Sequence, residues 1–179
     1  MRTDRAARPS ARLTRWVAAL LLVPLLAACG GSDRIEWPGV RLDLPEGWEL
    51  VAQETVRLVL ADHVAAEGER GVHVTFLREP GTLPDDWRRR IADQGLTLES
   101  DTQVLIAGDV PATQLIVLAS TDGVPVRQVI LVVASRGLVI SVDPVLAPGE
   151  QDGPELLLES LDGVRAMLDT VELALPEFG

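Results

Sequence analysis

The sequence predicts an α+β domain, a β-sheet with helices packed on it, on the strength of three observations. Apolar–polar alternation recurs in short stretches set apart by Pro–Gly-type breaks, the pattern of half-buried strands. Uninterrupted apolar runs such as Val129-Ile130-Leu131-Val132-Val133 fit central strands covered on both faces. Two further segments carry apolar residues at helical spacing, and these are expected to supply the cover.

In chain order, Val40–Leu44 alternates and Pro45-Glu46-Gly47 turns the chain into an extended stretch opened by Trp48. Val56–Leu60 and Val72–Phe76 alternate again, with the polar loop Glu67–Gly71 between them. A helix follows: Pro84, Asp85 and Asp86 put carboxylates at its positive end, and Gly95 stops it. Leu83, Trp87 and Ile91 lie four apart and are expected on one face. Strands are then expected at Gln103–Ala107, Gln114–Ser120, Arg127–Ala134 and Gly137–Asp143, with turns at Asp109-Val110-Pro111 and Thr121-Asp122-Gly123. A second helix begins at Gly153-Pro154, where proline's missing N–H costs nothing. Its apolar stripe is Leu157, Leu161, Val164, Leu168 and Val171. No internal repeat or second domain boundary interrupts the 179 residues.

Charge divides the chain. Five of its 16 arginines (Arg2, Arg5, Arg8, Arg12 and Arg15) precede Cys29, opposed only by Asp4. That leaves 11 arginines against 26 carboxylates from Cys29 onward, a formal charge of −15. That charge argues against nucleic acid as a partner, because binding it requires cations that displace phosphate counterions. The same charge opposes adsorption to anionic lipid, so any membrane attachment needs another source. One cysteine permits no intramolecular disulfide, and the core must hold by packing.

That source is legible at the N-terminus. Trp16–Ala28 is a run of 13 residues broken only by Pro24, well short of the roughly 20 that span a bilayer. It suits a signal-peptide apolar region ahead of a small-residue cleavage site. Leu26-Ala27-Ala28-Cys29 resembles the bacterial lipobox. That resemblance implies peptidase recognition through Leu26, Ala27 and Ala28, a diacylglyceryl group on the Cys29 thiol, and Cys29 as the new N-terminus. The expected organisation is a cleaved signal peptide over 1–28, a lipidated Cys29 and short tether over 29–36, and one globular domain over 37–179. The expected location is the extracytoplasmic face of a cell membrane, held there by lipid.

The domain itself shows a second resemblance. Leu44-Pro45-Glu46-Gly47-Trp48 resembles the Leu-Pro-x-Gly-Trp opening of Mog1/PsbP-like domains, a family that includes short actinobacterial lipoproteins. Val104–Ala112 is similar to that family's apolar strand and Gly-x-x-(Pro)-Ala turn, and Leu157–Val171 to its closing helix and tail. The likeness covers roughly residues 37–173. It implies a single antiparallel β-sheet flanked by helices, an α/β/α sandwich, and accessory or binding roles without a shared catalytic constellation.

Motifs that carry chemistry are missing from the sequence. There is no Gly-x-Ser-x-Gly elbow, phosphate loop, His-Glu-x-x-His or cysteine pair. Nothing in the order of residues sets a histidine beside Ser120, Ser135, Ser141 or Ser160, as a hydrolase requires. His63 and His73 could join Asp62 or Asp101 in a metal site only if the fold gathered them. The expectation is therefore a non-enzyme with no cofactor and no metal. Arg88, Arg89 and Arg90, the one basic cluster, are candidate partner contacts, against the plainer reading of a solvated face. Trp37 and Trp48 are candidates to line a groove, against the plainer reading of core plugs. Two functions stay open: an interaction module that docks on another envelope protein, and a carrier of small molecules or lipid in an apolar cavity between helix and sheet.

Overall fold

The computed structural model describes residues 34–63, 70–121, 123–146 and 163–174. Outside them lie the expected signal peptide, Leu26, Ala27, Ala28 and Cys29, the loop at 64–69, and the first part of the second helix with Leu157 and Leu161.

The first strands form a small sheet of their own. β1 (Arg34–Trp37) and β2 (Val40–Asp43) make a hairpin in which Trp37 opposes Val40 across Pro38-Gly39. Proline fixes the first central position of this turn and Gly39, at φ +80°, takes the second, which needs a left-handed backbone. Residues 34–36 are thus strand rather than tether. β10 (Glu172–Leu173), from the chain's far end, pairs with the other edge of β2.

The second sheet is the larger. Its order is β3-β4-β5-β9-β8-β7-β6, antiparallel throughout. β3 (Trp48–Gln53), β4 (Arg57–Asp62) and β5 (Gly71–Arg78) meander inward from one edge. The helix α1 (Pro84–Asp93) then carries the chain to the opposite edge. From there β6 (Thr97–Ile106), β7 (Val110–Thr121), β8 (Val124–Val133) and β9 (Leu138–Val145) meander back, and β9 closes on β5. A single turn of 3-10 helix, Ala134–Arg136, joins β8 to β9.

These pairings correct the expected architecture. A single sheet flanked by helices is not what forms: there are two sheets, of seven and three strands. Strands hold 59% of the described residues and helices 18%, so the protein is mostly β. The physical reason lies in the cover. One face of the large sheet is sealed by the three-stranded sheet together with helix α2, described over residues 163–169, where a helical layer alone was expected.

On that face Leu58, Leu60, Val72, Val74, Phe76, Leu131 and Ile140 meet Trp37, Val40 and Leu42 of the small sheet and Val164 and Met167 of α2. Val164, Leu168 and Val171, three members of the predicted stripe, all point into this core. Thr170 ties the layers: its hydroxyl accepts the Asp43 N–H at 3.0 Å and donates to the Met167 carbonyl at 2.8 Å. On the opposite face α1 seats Trp87 and Ile91 on Leu115, Val117, Ile130, Val132 and Val139. Pro84 opens α1, the Asp86 carboxylate accepts the Leu83 N–H at 3.0 Å, and Gly95 follows its end at φ +70°. Leu83 is not on the buried face. It caps the helix and is exposed.

Candidate functional site

The three arginines of α1 occupy its solvent side, and each meets a carboxylate. Arg88 bonds Asp101 on β6 at 2.6 Å and also reaches Asp85. Arg89 pairs with Asp86 one turn back at 3.3 Å. Arg90 reaches Glu79 at 3.0 Å, and its guanidinium lies 4.9 Å from the centre of the Trp87 ring. The hydrogen bond from Arg88 holds the Asp101 carboxyl below the usual range, and Arg127 does the same for Glu99. An incoming anion would have to displace these carboxylates, so the row binds α1 to its surroundings.

The tryptophans divide. Trp37 is 3% exposed within the main core, and its indole N–H donates to the Glu54 carbonyl at 2.6 Å. It also borders an open cleft of about 290 Å³ at the β1–β2 turn, beside Glu36, Pro38 and Arg41. Trp48 is half-buried against the same core, and its indole lies where a side chain at Gly163 would stand: a Cβ there would come within 3.2 Å of Nε1. Both therefore pack the layers together, and neither presents an open stacking face.

His63 is exposed and stands 3.4 Å from Glu49. Among the described residues, no three His, Cys, Asp or Glu side chains are gathered as metal ligands. The register does place the other histidine in company that the sequence order concealed. His73 on β5 opposes Asp143 on β9, and Thr75 opposes Ser141. Gln128 on β8 donates through Nε2 to Oδ1 of Asp143, and the Ser141 hydroxyl donates to Oδ2 at 2.8 Å. Burial pushes the Asp143 carboxyl above the usual range, while Ser141, Gln128 and then His73 pull it back.

This polar row across three central strands holds a serine, a histidine and an aspartate, but in the wrong order for nucleophilic catalysis. A catalytic serine gives its proton to histidine. Here Ser141 spends its hydrogen on Asp143, and the carboxylate, not the imidazole, is the shared acceptor. The arrangement can hold one buried charge; it cannot activate Ser141. The signal that could have found it was the interruption of apolar strands by polar residues at period two, His73 and Thr75 in one and Ser141 and Asp143 in the other.

A second open cleft, of about 410 Å³, lies between the β6–β7 turn and the 3-10 turn, lined by Gln103, Asp109, Thr113, Ser135 and Arg136 among others. Gln103 is held there by a 2.8 Å bond to the Thr113 hydroxyl. Among the described residues no helix is long and apolar enough to cross a membrane. No protein-family model matches the chain, and no curated protein matches it either.

Proposed function

We propose that the mature chain is a lipid-anchored lipoprotein of the cell envelope, a non-catalytic module that docks on another envelope protein. The anchor rests on Leu26-Ala27-Ala28-Cys29 and on an acidic mature charge that gives anionic lipid nothing to hold. Docking rests on one observation above all. Leu50, Val51 and Val56, on the β3–β4 hairpin, are 42%, 49% and 55% exposed. Three large apolar side chains exposed on one hairpin of a highly charged domain support a contact surface there. The register slips between Leu50 and Ala52, and the bulge leaves Val51 outside the ladder.

The carrier reading needs open apolar volume between helix and sheet. At α1 that space is taken by Trp87, Ile91 and Leu96 packed on the β7–β8 side chains, which favours docking. Two measurements test the proposal separately. Cys29→Ala is expected to move the protein from the membrane fraction to the soluble one. A photo-cross-linker at Leu50 is expected to capture one reproducible envelope protein, with capture lost on Val51→Glu. Membrane retention without Cys29 overturns the anchor, and capture indifferent to Val51→Glu overturns the docking surface.

A further inference from the structure

At the other edge of the large sheet, β6 pairs with β7 on one side, and no described residue pairs with the other. We infer that this edge is a self-association surface on which a second copy of the chain pairs, β6 against β6, antiparallel about a two-fold axis at Gln103. The inference is independent of the hairpin reading above, which concerns the opposite edge.

Both ends of the usable segment are marked. The register with β7 slips between Leu98 and Ser100, so Glu99 is bulged, and regular pairing runs from Ser100 to Ile106. At Ala107 the backbone turns left-handed, at φ +50°, and leaves the strand. Seven residues with both ends fixed have one register that pairs them all. It sets Gln103 opposite its own copy, Thr102 opposite Val104, Asp101 opposite Leu105 and Ser100 opposite Ile106. No like charges face one another, which is the commonest bar to edge pairing. Register shifts that centre on Asp101 would oppose two carboxylates.

Edge strands that avoid pairing carry charged side chains, proline, or bulges that twist the edge away. The bulge lies outside the paired segment, and Ser100–Ile106 is regular and has no proline. Its one charge, Asp101, is already matched by Arg88, and the bulged Glu99 is matched by Arg127 at 2.6 Å. The acidic domain therefore meets its copy here through neutralised carboxylates.

The exposed leucines add a second line of support. Leu105 is 66% exposed and Leu98 36%. Leu98 opposes Val117 and Asp101 opposes Leu115, so the bulge makes Leu98 and Asp101 successive residues on one face. Leu105 lies on that face too, opposite Pro111. In the paired edge each Leu105, seated opposite Asp101 of the second copy, stands diagonal to that copy's Leu98, within reach of a long side chain. Two solvent-facing leucines in one chain become two buried contacts in the pair.

The test uses the full lipoprotein in membranes. Gln103→Cys introduces one thiol on the two-fold axis, and Ser120→Cys, on the far part of β7, is the control. A disulfide-linked dimer is expected on non-reducing gels from Gln103→Cys and not from the control. The register is read by charge. In the Gln103→Cys background, Leu105→Asp sets a carboxylate against Asp101 of the second copy twice over, and Leu105→Arg sets a guanidinium there. Dimer yield is expected to fall about tenfold with the first relative to the second. Equal cross-linking from Gln103→Cys and Ser120→Cys overturns the pairing, and equal yields from the two Leu105 variants overturn the register. Neither outcome touches capture at Leu50, so the two edges fail separately.

Discussion

The two faces of the seven-stranded sheet are built to different rules. On the side of the small sheet and α2, the sheet face and its cover together hold twenty buried apolar residues in one cluster among those described. Under α1 the cluster is smaller, Ile91 of the helix on Leu115, Val117, Ile130, Val132 and Val139 of the sheet, and the same sheet face then gives way to Thr75, Ser141, Asp143 and Gln128. Strand alternation makes this division possible, since successive residues serve opposite faces and can be chosen separately. The difference indicates that stability comes mainly from the first face, while the second carries a buried charge at some cost.

The largest effect expected from that contrast is Phe76→Ala. Phe76 is fully buried in the larger cluster, and its loss is expected to cost about 4 kcal/mol in denaturant unfolding. Ile91→Ala, on the α1 face, is expected to cost about 2 kcal/mol, because the helix has a solvent side on which to settle. A cost at Ile91 equal to that at Phe76 would erase the distinction between the faces. Trp37→Phe keeps most of the apolar volume but leaves the Glu54 carbonyl without its indole donor, and about 1 kcal/mol is expected to be lost.

Asp143 sharpens the comparison through pH. Its folded carboxyl titrates above the usual range, mainly through burial, so the folded state holds the proton more tightly than the unfolded chain. Its contribution to stability is complete below the unfolded value, about 3.9, and is lost as pH rises through the raised folded value. Asp143→Asn is expected to remove that decline: unfolding free energies of variant and parent should diverge with rising pH over this window. Parallel curves would show that the site carries no linked proton. The smallest effect belongs to the surface. Arg88→Ala is expected to raise the Asp101 titration midpoint toward the usual carboxylate range, as read by NMR, with a change in melting temperature that shrinks in added salt.

Strand content was largely legible, because alternation reports directly on half-burial. β2, β4, β5, β7, β8 and β9 lie where Val40, Val56, Val72, Gln114, Arg127 and Gly137 mark the expected stretches, with boundaries moved by a few residues. Helix α1 was legible from Pro84, the paired aspartates and Gly95. Sheet membership was not. Nothing local tells Val40–Asp43 that its second partner is Glu172–Leu173, some 130 residues away, so the small sheet was read as part of one large sheet. The polar row was hidden for the same reason: His73 and Asp143 are 70 residues apart and meet only through the β5–β9 register. The arginines of α1 read as a free basic cluster because Asp101 and Glu79, which meet Arg88 and Arg90, lie on other segments.

The docking proposal is tested most directly at the β3–β4 hairpin. The measurement is in-cell photo-cross-linking of the full chain from Leu50, with and without Val51→Glu, followed by mass spectrometry of what is captured. One envelope protein, recovered repeatedly and lost with Val51→Glu while the folded domain remains at the membrane, is the expected result. Capture of nothing above membrane background, together with a small molecule or lipid that stays with the purified protein in native mass spectrometry, would contradict docking and establish a carrier.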